Sequence, residues 1–232
     1  MRRDLEALER AGALQRVHGG AVLASFSAVE PPFSVRALVN QDGKKILAKA
    51  CASMLRDGES VVLDSGTTAV EVARAVAHLK LMIAPLSARV LAEVLRTDRH
   101  EVLVPGGTVR PVEQSFVGEL AERTFDLVRF DTMVLSCCGL DATHGATAHS
   151  LDDVRVKRAA LAAARRVLVV AGEEKLGRVA LGRVCPVDAI DVVLTDAPET
   201  SEQVAELRDA GTRVVVVGPA ATGSCAAVPG TR

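Results

Sequence analysis

An α/β fold with a mainly parallel sheet is predicted by two observations on this sequence of 232 residues. Short runs of Val, Leu and Ile recur along the chain, and stretches with helical spacing of apolar residues separate them. Continuous apolar strands that alternate with helices are typical of a parallel sheet covered on both faces. A hydrophobic content of 49% is enough for the core of one large domain with a small appendage.

The beginning of the chain predicts a small unit of its own. Leu5, Leu8 and Ala11 recur at the spacing of an amphipathic helix. Short apolar runs on either side of Gly19-Gly20 predict a hairpin or wing.

A boundary follows at Pro31-Pro32, which stiffens an extended segment and stops a helix from continuing on either side. The end of the chain is rich in small residues, Gly and Pro, and predicts a flexible tail. The predicted organisation is a partial N-terminal unit at 1–23, a linker at 24–40, a main domain at 41–220 and a tail at 221–232.

The main domain begins with the predicted helix "KKILAKACASML". The buried strand "ESVVLD" follows and leads through "SGTT" into the helix "AVEVARAVAHL". Further strands are predicted at 81–84, 101–104, 131–136, 166–171, 191–195 and 213–217. Further helices are predicted at 87–97, 117–125, 152–165 and 200–210.

Composition limits the classes of function. The net charge of -1 creates no overall cationic field, so affinity for nucleic acid would need a local patch. The chain has no Trp and no Tyr, which argues against base stacking on aromatic platforms. Five scattered cysteines lack metal-ligand spacing and are interpreted as small buried hydrophobes, so we expect no metal and no cofactor. No apolar segment approaches the ~20 residues that span a bilayer and no signal peptide is present, so we expect a cytoplasmic protein without membrane contact.

The most specific local pattern is "VVLDSGTT", in which a strand ends, a glycine permits a tight turn and a helix begins. The first amides of a helix and the positive end of its dipole favour an anion. Ser65, Gly66, Thr67 and Thr68 are therefore candidates for binding a phosphate. The alternative is a helix cap without a ligand, because Ser and Thr are preferred at that position.

Three further loops follow predicted strands. Gly106-Gly107 predicts a tight turn, or a close approach of the backbone to a ligand if it lies beside "SGTT". Lys175 could balance the charge of a phosphate or be a solvated surface lysine, and Asp141 could bind a sugar hydroxyl. Ligands gather outside the carboxyl ends of the strands in open α/β sheets, which is where these loops fall.

Basic residues near the beginning of the chain are candidates for contacts with DNA. Arg2 and Arg3 open the first helix, while Arg16 and His18 lie in the predicted wing, an arrangement suited to phosphate contacts. The alternative is a charged solvent face, because three acidic residues in the same run nearly cancel the arginines.

The run "RRDLEALERAGALQRVHGGAVL" resembles the recognition helix and wing of the DeoR family of bacterial transcriptional regulators. The resemblance continues through "EPPFSVRALVN", "LDSGTT", "GGTVRP", "FVGELAE", "GLD", "VKRA" and "EKLG". It implies a partial winged helix-turn-helix followed by a sensor domain similar to the folds of ribose-5-phosphate isomerase and CoA transferases. It also implies a homo-oligomeric repressor, without catalytic residues, that is released by a phosphorylated sugar and that binds operator DNA if the helices expected in front of the recognition helix are present.

By position, the resemblance assigns DNA contacts to Arg2, Arg3, Arg16 and His18. It assigns the effector pocket to Ser65, Gly66, Thr67, Thr68, Ser87, Gly106, Gly107, Asp141 and Lys175.

Three local departures from the family pattern bear on that pocket. Family members usually carry Thr-Asn-Ser after the strand near residue 84, whereas this chain has "APLSA" and keeps only Ser87. The loop before Asp141 is "SCCGLD", where related isomerases carry acidic residues, and this difference favours a sensor over a catalyst. "EEK" replaces a Ser-Lys pair and adds negative charge beside Lys175.

The resemblance further implies about 40–50 residues, including two helices, in front of the recognition helix. Relatives usually have Val or Ile where this chain has Met1, and a GTG codon encodes Val internally but Met at a start. Our hypothesis is that Met1 is an internal valine and that translation begins further upstream. An in-frame stop codon just before Met1 would contradict it.

Two alternatives to a DNA-binding regulator stay open. One is a sugar-phosphate isomerase or related enzyme that uses the same fold. The other is a sensor-only fragment that binds the ligand without binding DNA.

Overall fold

The N-terminal part of the computed structural model contains one β-hairpin. The structure describes residues 14–17, 20–23 and 30–218. Strands β1 (Leu14–Val17) and β2 (Gly20–Leu23) pair in antiparallel register, with Leu14 opposite Leu23. The predicted hairpin is therefore confirmed. Arg2, Arg3 and His18 lie outside the described residues, and so does the side chain of Arg16.

The main domain is built on a parallel sheet of seven strands, which confirms the predicted fold class. The strands are β3 (Ser60–Leu63), β4 (Met82–Pro85), β5 (Glu101–Val102), β8 (Phe130–Ser136), β11 (Ala164–Val170), β13 (Val192–Thr195) and β14 (Arg213–Val216). Their order in the sheet is β14-β13-β11-β8-β3-β4-β5, so the chain starts in the middle, builds one side and then returns to the other.

Seven helices accompany the sheet in the described residues. They are α1 (Phe33–Leu38), α2 (Gln41–Ser53), α3 (Thr67–Ala75), α4 (Ala88–Val94), α5 (Glu119–Thr124), α6 (Leu151–Ala162) and α7 (Glu202–Asp209). Two short 3-10 turns lie at Glu173–Lys175 and Val187–Ala189. No helix among the described residues is long and apolar enough to cross a bilayer.

The two faces of the sheet carry separate apolar layers because successive residues of a strand point to opposite faces. Val61 and Leu63 join the layer formed with α2, α3 and α4. Val62 joins the layer formed with α5, α6 and α7. Both faces are therefore covered, which explains why the central strands are continuous apolar runs rather than alternating ones.

Five short strands were not predicted. β6 (Thr108–Arg110) pairs antiparallel with β7 (Ser115–Val117), and β10 (Gly145–Ala148) lies between β9 (Gly139–Asp141) and β12 (Gly182–Cys185). The predicted helix at 117–125 is wrong at its beginning. Residue 117 ends β7, and Gly118, with a φ of 96°, separates that strand from α5.

Candidate functional site

The candidate anion site lies where the order of the sheet reverses, at the carboxyl end of the central strand β3. Ser65 and Thr67 are buried and Thr68 is half-buried, in the loop and the first turn of α3. Gly66 precedes the helix with a φ of 101°, a conformation that favours glycine, and no side chain caps the helix there. The first amides of α3 are therefore left for another acceptor.

A buried ion pair, which the sequence interpretation missed, lies beneath this loop. Asp64 is fully buried and accepts hydrogen bonds from the amides of Ser65 (2.7 Å) and Ser136 (2.8 Å). The Lys157 ammonium donates to Asp64 at 2.7 Å and to the carbonyl oxygen of Ser136 at 3.0 Å. The pair thereby joins β3, β8 and α6.

Burial and charge act against each other in this pair. Burial raises the pKa of Asp64, and the charge of Lys157 and the two amides oppose that rise. Burial is the largest single influence on Lys157 and lowers its pKa. The charges of Asp64, Cys138 and Asp153 and the hydrogen bond to Asp64 together outweigh burial, so the pKa of Lys157 lies above its usual range. A lysine with a raised pKa stays charged, so a buried cation lies at the base of the candidate anion site.

A chain of alternating charges, here termed the charge ladder, consists of Glu113, Arg36, Glu30, Arg110 and Asp153. Arg36 donates a hydrogen bond to Glu113 and lies 3.7 Å from Glu30. Arg110 contacts Glu30 at 3.0 Å and Asp153 at 2.5 Å. All five side chains are less than one fifth exposed. The ladder connects the stretch before α1 to the β6–β7 hairpin and to α6.

One end of the ladder faces the loop before α3. A β-carbon placed on Gly66 would meet Glu113 Oε2 at 3.8 Å and Arg36 Nη1 at 4.0 Å, and these are the nearest atoms outside its chain neighbours. A carboxylate and a guanidinium thus border the space in front of the helix. Burial lowers the pKa of Arg36, and the charge of Glu30 opposes that shift.

Helix α1, which falls within the predicted linker, packs on the main domain. The guanidinium carbon of Arg89, on α4, lies 4.1 Å from the centroid of the Phe33 ring. The Lys44 ammonium donates to the carbonyl oxygens of Arg36 and Val39, the latter at 2.6 Å. Helix α1 and the residue after it are therefore attached to the sheet domain by two contacts, one from Arg89 on α4 and one from Lys44 on α2.

Structural reasons account for three of the predicted effector residues without a ligand. Ser87 is fully buried, and its hydroxyl caps α4 by accepting from the amide of Val90 at 3.3 Å. A β-carbon on Gly107 would lie 2.3 Å from the carbonyl oxygen of Val117, and one on Gly106 would lie 3.3 Å from Leu120 Cβ. The two glycines therefore allow the β6–β7 hairpin and α5 to pack closely.

Asp141 organises its own loop. Its Oδ1 accepts from the amides of Thr143 (3.0 Å) and His144 (2.9 Å) and lies 2.7 Å from His144 Nδ1. Burial raises the pKa of Asp141, but these bonds outweigh it, so that the pKa lies below its usual range. The carboxylate is occupied by a tight turn between β9 and β10.

Lys175 is half-buried in the turn after β11. Its charge is close enough to lower the pKa of Cys137, at the end of β8, and that of Lys44. Burial is the larger influence on both, and it raises the pKa of Cys137 to about 12. Lys175 lies at the carboxyl edge of the sheet because its turn directly follows β11, and its contact with an effector stays a prediction.

Several motifs quoted for the family resemblance contain members of the two charge networks. Glu30 and Arg36 belong to "EPPFSVR", Asp64 to "LDSGTT", Arg110 to "GGTVRP" and Lys157 to "VKRA". The signal that could have found them is the position of charged residues inside or directly after apolar runs, where an unpaired charge is costly.

Two further observations concern an open cavity and possible metal ligands. An open cavity of about 670 Å³ lies at the amino edge of the sheet, between Ser60, Glu101 and Phe130, and no predicted effector residue lines it. In the part of the chain that the structure describes, no three His, Cys, Asp or Glu side chains are grouped as metal ligands would be.

A parallel sheet with charged loops at its carboxyl edge, preceded by a hairpin, defines an open-sheet α/β protein. Comparison with known families identifies that class further. Residues 39–197 match the DeoR C-terminal sensor domain, and residues 1–26 match the DeoR-like helix-turn-helix domain. The chain belongs to the DeoR family of transcriptional regulators.

Named relatives agree with this assignment. The HTH-type transcriptional regulator GlpR of Haloferax volcanii is 33% identical over 215 residues, which cover 93% of this chain and 84% of that protein. The transcriptional repressor AccR of Agrobacterium fabrum is 32% identical over 198 residues, with coverages of 84% and 77%. The glycerol-3-phosphate regulon repressor of Escherichia coli K12 is 30% identical over 199 residues, with coverages of 85% and 79%.

Among solved structures, ribose 5-phosphate isomerase A from Methanocaldococcus jannaschii aligns with a TM-score of 0.45 at 15% identity. The alignment covers 61% of this chain and 55% of that one.

Proposed function

We propose that this protein represses genes of sugar metabolism by binding operator DNA through its N-terminal unit, and that a phosphorylated sugar bound at the carboxyl edge of the sheet controls it. The observation that carries the proposal is the loop before α3. It joins an uncapped helix N-terminus at the central strand to the buried cation Lys157 and to Arg36 of the charge ladder. Helix amides and guanidinium groups are the usual partners of phosphate.

The proposed effector residues are Ser65, Gly66, Thr67, Thr68 and Lys175, with Arg36 added from the charge ladder. Ser87, Gly106, Gly107 and Asp141 are proposed to shape the pocket rather than to contact the phosphate. The packing and capping contacts of these four residues support that role.

Effector binding is tested by a glycine substitution and a matched control on the same strand. Gly66 and Gly58 lie beyond opposite ends of β3, both have positive φ, and a methyl group fits at both. Gly66→Ala and Gly58→Ala should therefore cost similar stability, about 1 kcal/mol or more. Only Gly66→Ala places a methyl group in front of the helix, where it should block a phosphate.

The measurement is the shift in Tm of wild type and both variants with glycerol 3-phosphate and a panel of pentose and hexose phosphates. A ligand at 100 times its Kd stabilises by roughly 2.7 kcal/mol, which gives a shift of several degrees. We expect a shift for wild type and for Gly58→Ala, and none for Gly66→Ala. Equal shifts in all three proteins would place the effector elsewhere.

Operator binding is tested by gel shift with DNA from upstream of the gene. Arg2→Ala combined with Arg3→Ala should abolish the shift and leave effector binding intact, because phosphate contacts dominate affinity for DNA. The same gel shift compares this chain with one extended upstream. Effector binding by both chains and DNA binding by neither would support the sensor-only alternative.

We further propose a sensor and not an enzyme. Three acids near the site are engaged: Asp64 by Lys157, Glu113 by Arg36, and Asp141 by His144. A general base needs a carboxylate that can reach its substrate. Turnover of ribose 5-phosphate or a hexose phosphate that is lost in Lys175→Ala would overturn this proposal.

The assembly is proposed to be a homo-oligomer, because regulators that bind repeated DNA sites are commonly symmetric. Light scattering on the purified chain would measure its mass against the 24.3 kDa of one copy.

A further inference from the structure

We propose that Glu113 is a resident anion of the effector site, which holds Arg36 when no effector is bound and which the incoming phosphate displaces. Arg36 then becomes a ligand of the phosphate that is contributed by the segment before the sheet domain. The inference rests on the effector site proposed above and adds that an exchange of the partner of Arg36 reports the bound effector.

The first argument is the position of the carboxylate. Glu113 Oε1 accepts from Arg36, and Glu113 Oε2 is the atom nearest to a β-carbon placed on Gly66. A phosphate bound to the first amides of α3 would occupy this same space. Two anions a few ångströms apart in a poorly hydrated site repel each other, so both cannot remain there.

The second argument is the chemistry of Arg36. Its guanidinium offers donors to both Glu113 and the space before Gly66, since Nη2 bonds the carboxylate and Nη1 lies 4.0 Å from where a β-carbon on Gly66 would stand. A phosphate presents more charge and more acceptors than a carboxylate and suits the planar fork of an arginine. The exchange of Glu113 for phosphate therefore keeps Arg36 paired.

The third argument is the turn that carries Glu113. Its neighbour Gln114 has a φ of 55°, in the left-handed region that a side chain other than Gly or Asn seldom adopts. Such a residue costs of order 1 kcal/mol, which the surrounding contacts must offset. Glu113 thus lies on a short turn between β6 and β7 that contains a residue in a strained backbone conformation.

The consequence concerns the direction in which the signal travels. Arg36 lies in α1, between the hairpin and the sheet domain, and its Nε donates to the carbonyl oxygen of Pro31 at 3.0 Å. Glu30 is shared between Arg36 and Arg110. A change of partner at Arg36 therefore acts on the segment that leads to the N-terminal unit.

The test is the affinity for inorganic phosphate, measured by calorimetry on the full chain. Glu113→Gln replaces the ion pair that holds Arg36 by a weaker neutral hydrogen bond, so phosphate takes over Arg36 more easily and the Kd should fall roughly tenfold. The matched control is Glu119→Gln, which makes the same change of charge on an exposed surface of α5 and should leave the Kd within about twofold.

A second pair of variants distinguishes displacement from a simple change in local charge. Arg36→Gln should weaken phosphate binding, and Glu113→Gln should give no gain in that background, because Glu113 acts through Arg36. A tenfold gain that persists without Arg36 would overturn the proposal. If Glu113→Gln fails to fold, Arg36→Lys carries the test, since it keeps the charge but loses the fork and should still weaken binding.

Failure of this inference and failure of the effector site give different results. An equal Kd of phosphate for wild type and Glu113→Gln would overturn the displacement of Glu113 but would not contradict the effector site. Phosphate binding that is insensitive to Gly66→Ala, Glu113→Gln and Arg36→Gln would overturn both.

Discussion

Asp64 and Asp131 join the same two strands at opposite ends. Asp64 follows β3 and accepts from the amide of Ser136, at the end of β8. Asp131 lies in β8 and accepts from the amide (3.0 Å) and hydroxyl (2.8 Å) of Ser60, at the start of β3. The bonding is similar, but the surroundings differ. Asp64 is fully buried beside Lys157, whereas the side chain of Asp131 is 45% exposed.

The difference shows what burial adds to a hydrogen bond between strands. An exposed carboxylate keeps part of its hydration, so its loss costs little more than the bonds themselves. A fully buried one depends on its counter-ion, and removal of either partner leaves an uncompensated charge inside the protein. We therefore expect substitutions at the carboxyl edge, which carries the proposed effector site, to cost more stability than substitutions at the amino edge.

The largest expected effect comes from removal of the buried cation. Lys157→Met should lower the free energy of unfolding by about 3–5 kcal/mol, because Asp64 is left buried without a counter-charge. Urea denaturation at pH 7 measures it. Lys45→Met, at a lysine whose side chain is 56% exposed, serves as the control and should cost less than about 0.5 kcal/mol. A loss below 1 kcal/mol for Lys157→Met would contradict the account.

The next effect is the coupling between the two partners. Asp64→Asn combined with Lys157→Met should be less destabilising than the sum of the single changes, by about 1–3 kcal/mol, because the second change removes the charge that the first left unpaired. The same denaturation experiment completes the cycle. Additive losses would mean that the two charges stabilise the fold independently.

A smaller effect is expected at the amino edge. Asp131→Asn should cost about 1 kcal/mol at pH 7, the net value of a partly solvated hydrogen bond. The bonds from Ser60 lower the pKa of Asp131 in the folded protein. This contribution is therefore complete above the pKa of the unfolded chain, near 3.8, and is lost as the pH falls through the lower folded value.

Denaturation of wild type and Asp131→Asn at pH 6 and near pH 2 checks this sign. The difference in stability between the two proteins should vanish at the lower pH. A difference that grew on acidification would show that the carboxylate is not the stabilising form.

The smallest loss of stability is expected from an exposed ion pair. Glu119 and Arg123 form an ion pair of 2.9 Å on the surface of α5, with side chains 75% and 70% exposed. Arg123→Ala should change the free energy of unfolding by less than about 0.5 kcal/mol, because exposed pairs gain little beyond hydration. A larger loss in the same denaturation series would mean that exposure is a poor guide to these costs.

The parallel sheet was predictable because each of its strands is a run of consecutive apolar residues. Runs such as Val61–Leu63 are apolar at every position, and each residue enters one of the two apolar layers. The antiparallel strands of the main domain were not predictable, since Thr108–Arg110 is short and mostly exposed and Gly145–Ala148 contains few strongly apolar residues. Their pairing depends on neighbours that are distant in the chain.

The candidate site likewise has one part that the sequence predicts and one part that it does not. "SGTT" follows a strand and precedes a helix, so a candidate anion site could be proposed there from a few consecutive residues. The charge ladder was not, because Glu30 and Arg110 are 80 positions apart and Arg110 and Asp153 are 43 apart. No local pattern relates such residues, and only the packing of α1, β6 and α6 brings them together.

The position of β3 in the middle of the sheet also has a kinetic consequence. Ser60 is opposite Met82 on β4, a separation of about 20 residues, whereas Val61 is opposite Thr132 on β8, about 70 residues further along the chain. Closing the longer loop costs more chain entropy, and contacts of high sequence separation slow folding. The seam between β3 and β8 therefore joins two halves of the domain that can each begin to pair without the other. The Asp64–Lys157 pair lies at that seam, so it becomes buried only when the two halves have met.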